Sequence, residues 1–347
     1  MRNWLYDLLK RLIRAGFFCY FREIRMEGIA GIPASKPVML LLNHQNALLD
    51  PLLYAAYARA RRPYFLTRSD VFKNPLLRSF FRGLRMLPIY RLRDGRETLQ
   101  RNQEVFALCA ELFSRGEHVL LFPEANHNLR RQVRPLSKGF TRILEHALAR
   151  DPGLDLYLVP AGLNYEQADR FPDRVAFYFG KPFALKEYLG GEGNILMATA
   201  LKDRVFEELT HLTTHIPPGE DYSRWIGELE RQGVDFLNPA AVNQILQGAP
   251  GPKLPRRTRH PFWGRAWDLV FRGLNAPFWL PWALWIKPKV WEPEFMGTFR
   301  FLYALLAYPV WLFLLFAVLA TLGGPGTASP AVILLVLHNL AYVKWRG

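Results

Sequence analysis

Cysteine is scarce in this sequence. Cys19 and Cys109 are the only two among 347 residues, and they lie far apart. That excludes a disulfide framework and fits a reducing compartment such as the cytosolic face of a membrane. Acidic side chains are also few: 30 Asp and Glu against 45 Lys and Arg leave a formal net charge of +15. No internal repeat or low-complexity tract is evident. A cleavable leader is not expected either, because Lys10, Arg11 and Arg14 interrupt any apolar core near the start and no small-residue cleavage site follows. Metal ligation finds little support. His211 and His215 are four apart on an expected helix, but the intervening Leu-Thr-Thr holds no glutamate and no third ligand is apparent, so helix surface is the better reading.

Apolar residues, by contrast, are abundant, at 50% hydrophobic and 14% aromatic. A basic, aromatic-rich chain can bind nucleic acid, yet no recognised nucleic-acid motif is visible. The positive charge coexists with long apolar segments, and anionic lipid headgroups account for both features together. Phe301 to Leu322 runs 22 residues without a charge. At about 1.5 Å per residue this is long enough for a bilayer core of about 30 Å. Pro309 can kink it, and Gly323 to Ser329 reads as a short turn. Ala331 to Val343 is apolar but shorter, so the second arm of the hairpin is short or re-entrant. Arg300 before the first arm and Lys344, Trp345 and Arg346 after the second put both ends on the cytoplasmic side. Leu274 to Ile286 looks interfacial. Near the start, Leu5, Leu8, Leu9, Leu12 and Ile13 share one helical face, with Trp4 and Tyr6 as interfacial anchors. This is a helix lying on a membrane surface, packed on the rest of the protein, or both.

The most informative stretch runs from Pro37 to Pro51. An apolar strand, Pro37 to Leu42, delivers Asn43 and His44, and Asp50 follows just before Pro51. Proline suits the first turn of a helix, which places Asp50 at the N-cap. One oxygen of Asp50 would then cap the helix while the other orients the imidazole of His44. Such a pair can take a proton from an alcohol at neutral pH. Read singly, Asp50 is an ordinary cap and His44 an ordinary loop histidine. The order of segments downstream favours the pair. Gly83 to Arg91, Val119 to Asn128 with Ser137 to Gly139, Leu158 to Tyr165 and Phe177 to Phe183 are each a buried strand running into a polar loop.

In type, order and spacing these blocks resemble the glycerolipid acyltransferases, the family of glycerol-3-phosphate and lysophosphatidate acyltransferases, over about residues 20 to 185. The family's Asn-His-x4-Asp matches Asn43, His44 and Asp50. Its second block matches Gly83, Pro88 and Arg91. Its Phe-Pro-Glu-Gly-Thr-Arg-Ser block matches Phe122, Pro123, Glu124, Ala125, Asn126, His127 and Asn128, and its Val-Pro-Val block matches Val159, Pro160 and Ala161. Two departures stand out. Five residues rather than four separate His44 from Asp50, a variant similar to that of some glycerol-3-phosphate or dihydroxyacetone-phosphate acyltransferases. Ala125 and His127 replace the glycine and the phosphate-binding arginine, for which Arg130, Arg131 and Arg134 can substitute.

The resemblance implies transfer of a fatty acyl group from an acyl thioester, acyl-CoA or acyl carrier protein, to a hydroxyl of glycerol-3-phosphate or dihydroxyacetone phosphate, with His44 and Asp50 catalytic and no cofactor or metal. Lysophosphatidate or another lyso-lipid is the alternative acceptor, and a catalytically inactive lipid-binding protein is the alternative of another class. Substrate-binding candidates are Asn43, Arg91, Glu124, Asn126, His127, Arg130 and Lys138. Each arginine can equally be solvated surface, Glu124 a strand-end carboxylate, and Lys138 part of a plain helix start. The expected architecture is α/β, a mainly parallel central sheet flanked by helices, with an N-terminal amphipathic helix and C-terminal membrane helices. By residue the expected parts are 1–22, a surface helix; 23–190, the catalytic domain; 191–247, a helical extension; 248–262, a basic linker; and 263–347, a membrane region with its hairpin at about 301–322 and 331–343. Membrane lipids are the expected partners, nucleic acid is not, and the expected location is a membrane (the inner one in a bacterium) with the catalytic domain on its cytoplasmic side.

Overall fold

The structure, a computed structural model, describes residues 3–58, 62–72, 75–90, 98–189, 194–219, 221–248 and 261–346. In chain order the main elements are α1 (Asn3–Tyr20), β1 (Phe21–Glu27), β2 (Val38–Leu42), α2 (Leu49–Tyr57), β3 (Tyr64–Arg68), α3 (Pro75–Gly83), β4 (Met86–Ile89) and α4 (Thr98–Ser114). There follow β5 (His118–Leu121), α5 (Gly139–Arg150), β6 (Tyr157–Tyr165), β7 (Asp173–Phe179), β8 (Phe183–Ala184), α6 (Asn194–Leu212), α7 (Tyr222–Gln232) and α8 (Pro239–Leu246). The last part holds α9 (Pro261–Leu274), α10 (Ala276–Pro281), α11 (Met296–Gly323) and α12 (Pro325–Trp345).

The strands form one sheet in the order β1-β7-β6-β2-β5-β3-β4, with β8 beside β6. The five strands β6, β2, β5, β3 and β4 run parallel, while β7 is antiparallel to β6 and carries β1 with it. The mixed but mainly parallel sheet agrees with the sequence reading.

Strand alternation explains the layers. Val38, Leu40 and Leu42 of β2 enter one core with Phe17 of α1, Leu52 and Leu53 of α2 and Phe301 of α11. Met39 and Leu41 point the other way, into a core built with Cys109 and Phe113 of α4, Phe140 and Ile143 of α5, and Leu201 and Val205 of α6. A strand covered on both faces has no polar side, hence the unbroken apolar run of β2. Each large side chain buried there contributes roughly 1.5–3 kcal/mol. Gly162 of β6 is needed for close packing, since a Cβ there would lie 2.0 Å from the Leu212 carbonyl oxygen at the end of α6.

Several expectations require correction. Asp50 is not the N-cap of α2. Leu48 holds that place, and Asp50 lies inside the first turn. The second arm of the hairpin is a full helix of 21 residues, not a short one, because the expected Gly323–Ser329 turn shrinks to a single break at Gly324, where φ is +82°. Only α11 and α12 among the described residues are long and apolar enough to cross a membrane. α11 leaves Leu306, Phe313 and Leu322 exposed. Both outer ends of the hairpin are tied to the α/β domain: Arg300 donates to the Asp169 carbonyl at 2.7 Å and Lys344 to that of Phe21 at 2.8 Å.

α1 packs on the domain with Tyr6, Ile13, Phe17 and Tyr20 buried, and Phe17 stacks on Phe301 at 4.3 Å. Trp4, Leu8, Leu12 and Phe18 remain exposed. Tyr6 is therefore a core residue rather than an interfacial anchor, and α1 both packs and presents an apolar strip. His211 and His215 do not share a helix, because α6 stops at Leu212. Most of the 248–262 linker lies outside the described residues.

Candidate active site

In parallel α/β sheets, loops at the carboxyl ends of the strands gather reactive groups. β2, β5 and β6 lie side by side at the centre of this sheet. The loop after β2 carries Asn43 and His44, and the loop after β5 carries Phe122 to Lys138.

His44 Nδ1 lies 2.8 Å from Asp50 Oδ2. That same oxygen accepts the backbone N–H groups of Gln45 at 2.9 Å and Asn46 at 2.8 Å, while Oδ1 accepts the Tyr165 hydroxyl at 2.7 Å. Asp50 is fully buried. The extra residue in the His44–Asp50 spacing is taken up here: the loop curls so that its own amides reach back to the carboxylate. With Asp50 on Nδ1, the basic lone pair of the ring lies on Nε2. The imidazole lies flat on Phe122, with ring centroids 3.8 Å apart and planes 11° from parallel, and its side chain is 14% exposed. Stacking and hydrogen bonding together leave the ring little freedom to rotate. The arrangement can accept a proton from a hydroxyl presented at Nε2.

Many of the other expected residues make contacts within the fold. The Asn43 amide bridges to β6, donating to the Leu163 carbonyl at 3.0 Å and accepting its N–H at 2.6 Å. Glu124 holds Arg134, whose guanidinium donates at 2.8 Å and whose backbone N–H donates at 3.1 Å. The same guanidinium donates to the carbonyl of Asn126. Arg131 is drawn into the interior, where it donates to the carbonyls of Tyr165 and Glu166 and lies over Phe236 at 3.7 Å. Burial lowers its pKa to about 10. Arg134 and Arg131 are thus engaged in contacts within the fold. Arg130 is exposed over Tyr222 at 4.2 Å, and Lys138 is exposed at the start of α5. Arg91 lies outside the described residues. Ala125, where the family pattern has glycine, has φ of +61°, a left-handed conformation that glycine adopts without strain.

His127 is brought to the centre. Its ring meets His44 edge-on at 5.5 Å, and its Nε2 lies 2.8 Å from Glu292 Oε2. Phe295 packs edge-on against it at 5.0 Å. Hydrogen bonding to His127 holds the Glu292 carboxyl below its ordinary value, with Arg68 at the carboxyl end of β3 adding to the effect. Donor atoms of His127, Glu292 and Glu294 lie within 4.8 Å of one another. Sequence reasoning missed Tyr165, Arg68, Glu292 and Thr298. Tyr165 closes one of the quoted blocks and was available as a signal. No local pattern connects Glu292 or Thr298 to a loop so far back in the chain.

Residues 23–164 match the acyltransferase family model. A segment of 119 residues is 27% identical to glycerol-3-phosphate O-acyltransferase 2 of Saccharomyces cerevisiae, covering 31% of this chain and 16% of that protein. An uncharacterized acyltransferase of Schizosaccharomyces pombe is 26% identical over 110 residues, covering 30% and 16%. The matches thus span about a sixth of each of these relatives. A crystal structure of the 1-acyl-sn-glycerophosphate acyltransferase PlsC from Thermotoga maritima aligns with 60% of this chain and 83% of its own, at 18% identity and a TM-score of 0.39. Residues 23–164, where the His44–Asp50 pair, the Phe122 loop and most of the central sheet lie, are thus similar to the acyltransferase family, including a glycerol-3-phosphate acyltransferase among its relatives.

Proposed function

We propose that the protein transfers a fatty acyl group from acyl-CoA or acyl carrier protein to a hydroxyl of glycerol-3-phosphate or dihydroxyacetone phosphate, at the cytoplasmic face of a membrane, as a step in phospholipid biosynthesis. The observation that carries this reading is the 2.8 Å contact between His44 and an Asp50 carboxylate held by three further hydrogen bonds. His44 Nε2 takes the proton of the acceptor hydroxyl as its oxygen attacks the thioester carbonyl. The tetrahedral intermediate collapses with loss of the C–S bond, and the leaving thiolate takes the proton back from the imidazolium. An ester and a free thiol result, with no acyl-enzyme. A base placed this way contributes about 10²- to 10⁴-fold. Asp50 orients the ring and balances the charge that forms on it.

A glycerol phosphate acceptor is supported by the five-residue spacing and by the name of the yeast relative. Within the lyso-lipid alternative, which includes lysophosphatidate, one observation favours a less acidic lyso-lipid. The place of the family's arginine is taken by a histidine paired with Glu292, with Glu294 close by, so this wall of the site carries more negative charge. Membrane association is supported by α11 and α12, whose charged outer ends sit against the α/β domain on one side.

The test is direct. Protein purified in detergent is given labelled acyl-CoA or acyl carrier protein and each acceptor in turn, and wild type is compared with His44→Ala and Asp50→Asn. The proposal expects ester formation by wild type and loss of about 10²-fold or more in each variant. Equal rates for His44→Ala and wild type would reject His44 as the base, and a wild type that acylates no acceptor would favour a lipid-binding role.

A further inference from the structure

The loop from Asn43 to Asp50 presents a row of backbone amides that must find acceptors. Gln45 and Asn46 give theirs to Asp50. The next two are satisfied from the far end of the chain. Ala47 N–H donates to the carbonyl of Glu294 at 3.3 Å, and Leu48 N–H donates to Thr298 Oγ1 at 3.0 Å. The Thr298 hydroxyl in turn donates to Asn46 Oδ1 at 3.1 Å, and Asn46 Nδ2 donates to the Ala168 carbonyl at 2.9 Å. Between these contacts Gly297 lies so close that a Cβ would fall 2.4 Å from Asn46 Nδ2. Asn46, Thr298 and Gly297 are all buried. Just before α11 begins at Met296, Glu292 makes its bond to His127, beside the His44 ring.

We propose that the segment Glu292–Thr298, which leads into the first apolar helix and lies well outside the family-matched domain, is a clasp that completes the active site by holding the His44–Asp50 loop in its working shape. Thr298 is its main positioning residue. Its hydroxyl accepts one loop amide and donates to the Asn46 side chain, so both ends of the turn before Asp50 are secured by one group. Gly297 is required because the helix start must approach Asn46 more closely than any side chain allows. The Glu292 carboxylate secures the opposite wall through His127. The seat of α11 is thereby coupled to the geometry of the base, and the matched domain by itself would hold its catalytic pair loosely.

This inference rests on the acyl-transfer reading for its kinetic arm and is independent of it for its exchange arm. In the full chain in detergent, amide hydrogen exchange is followed over peptides spanning residues 43–50, and acyl transfer is measured in the same preparations. Thr298→Val, which keeps the shape and loses the hydroxyl, is expected to speed exchange in this loop by roughly tenfold or more. It is also expected to lower kcat by about 10- to 100-fold while KM for the thioester stays within about threefold, since small misplacement of a base costs rate rather than binding. Thr298→Ser restores the hydroxyl and should return both readouts close to wild type, and Gly297→Ala should reproduce the valine phenotype. Wild-type exchange and kcat in Thr298→Val would overturn the clasp, as would equal losses in the serine and valine variants. If wild type acylates no acceptor, the acyl-transfer reading fails, and the exchange experiment still decides whether the clasp exists.

Discussion

The hydroxyl of Tyr165 donates to Asp50 Oδ1 at 2.7 Å, so the carboxylate that grips His44 is itself gripped from the neighbouring strand. Burial, with the Asp50 charge adding to it, pushes the Tyr165 phenol well above its ordinary value, which keeps it a donor across the working pH range. Tyr165→Phe leaves a buried carboxylate oxygen without a partner. It is expected to cost about 1–3 kcal/mol of stability, seen as a lower Tm. A fall in kcat of about tenfold, about 1.4 kcal/mol of barrier, should accompany it. An unchanged kcat would show that the loop amides alone position Asp50.

Asn43 gives a sharper contrast between structure and binding. Its amide satisfies both backbone groups of Leu163, joining the end of β2 to β6. Asn43→Ala strands those two buried groups, and unfolding should become easier by about 1–3 kcal/mol with KM for the acceptor little changed. A rise in acceptor KM at full stability would instead return Asn43 to the substrate-binding role expected from the sequence.

The pair His127–Glu292 offers a test of the acceptor. His127→Arg combined with Glu292→Gln substitutes a bidentate cation for a histidine–carboxylate pair at a position 5.5 Å from His44. The double variant is expected to lower KM for phosphorylated acceptors by roughly tenfold, about 1.4 kcal/mol, and to leave neutral acceptors unaffected. Equal effects on both classes would place this wall away from the acceptor headgroup.

Asp173 supplies a pH signature. It is buried at the start of β7, beside Arg131 and Glu166, and burial raises its carboxyl from an ordinary 3.8 to about 7. Between those values the folded chain holds a proton that the unfolded chain has released. The contribution to stability is therefore complete below pH 3.8 and is lost as pH rises through about 7. Asp173→Asn keeps an acceptor for the Gln167 N–H, which reaches Oδ1 at 2.8 Å, and carries no charge at any pH. Its Tm should exceed that of wild type by several degrees at pH 8, a gain on the order of a few kcal/mol, with the gap narrowing towards pH 5. A gap independent of pH would mean that Asp173 is already ionised throughout.

Local pattern alone determined much of this protein. The apolar run of β2 could only be a strand buried on both faces, and α11 is too long and too apolar for an ordinary surface helix. The polar loop after β2 had to emerge at a strand end, with a histidine and an acid in it. These features depend on the period of hydrophobicity, on turn chemistry and on charge, all of which act between near neighbours. Even the replacement of glycine by Ala125 was visible, although its left-handed φ of +61° is evident only in the fold.

What the tertiary structure decided was the use of each polar group. Arg131, Arg134, Glu124 and Asn43 all looked available for substrate, and all four make hydrogen bonds inside the protein. Asp50 moved from the cap of α2 to a place within its first turn, where it serves the loop, His44 and Tyr165 together. Thr298 reached the His44–Asp50 loop, and Glu292 reached His127 beside it, from a segment no spacing rule connects to either. A buried hydrogen bond is chosen by which donors and acceptors lose water together, and that depends on packing between distant segments. Hydrophobic periodicity says which face turns inward, but only the packed chain says what each inward-facing polar atom will meet.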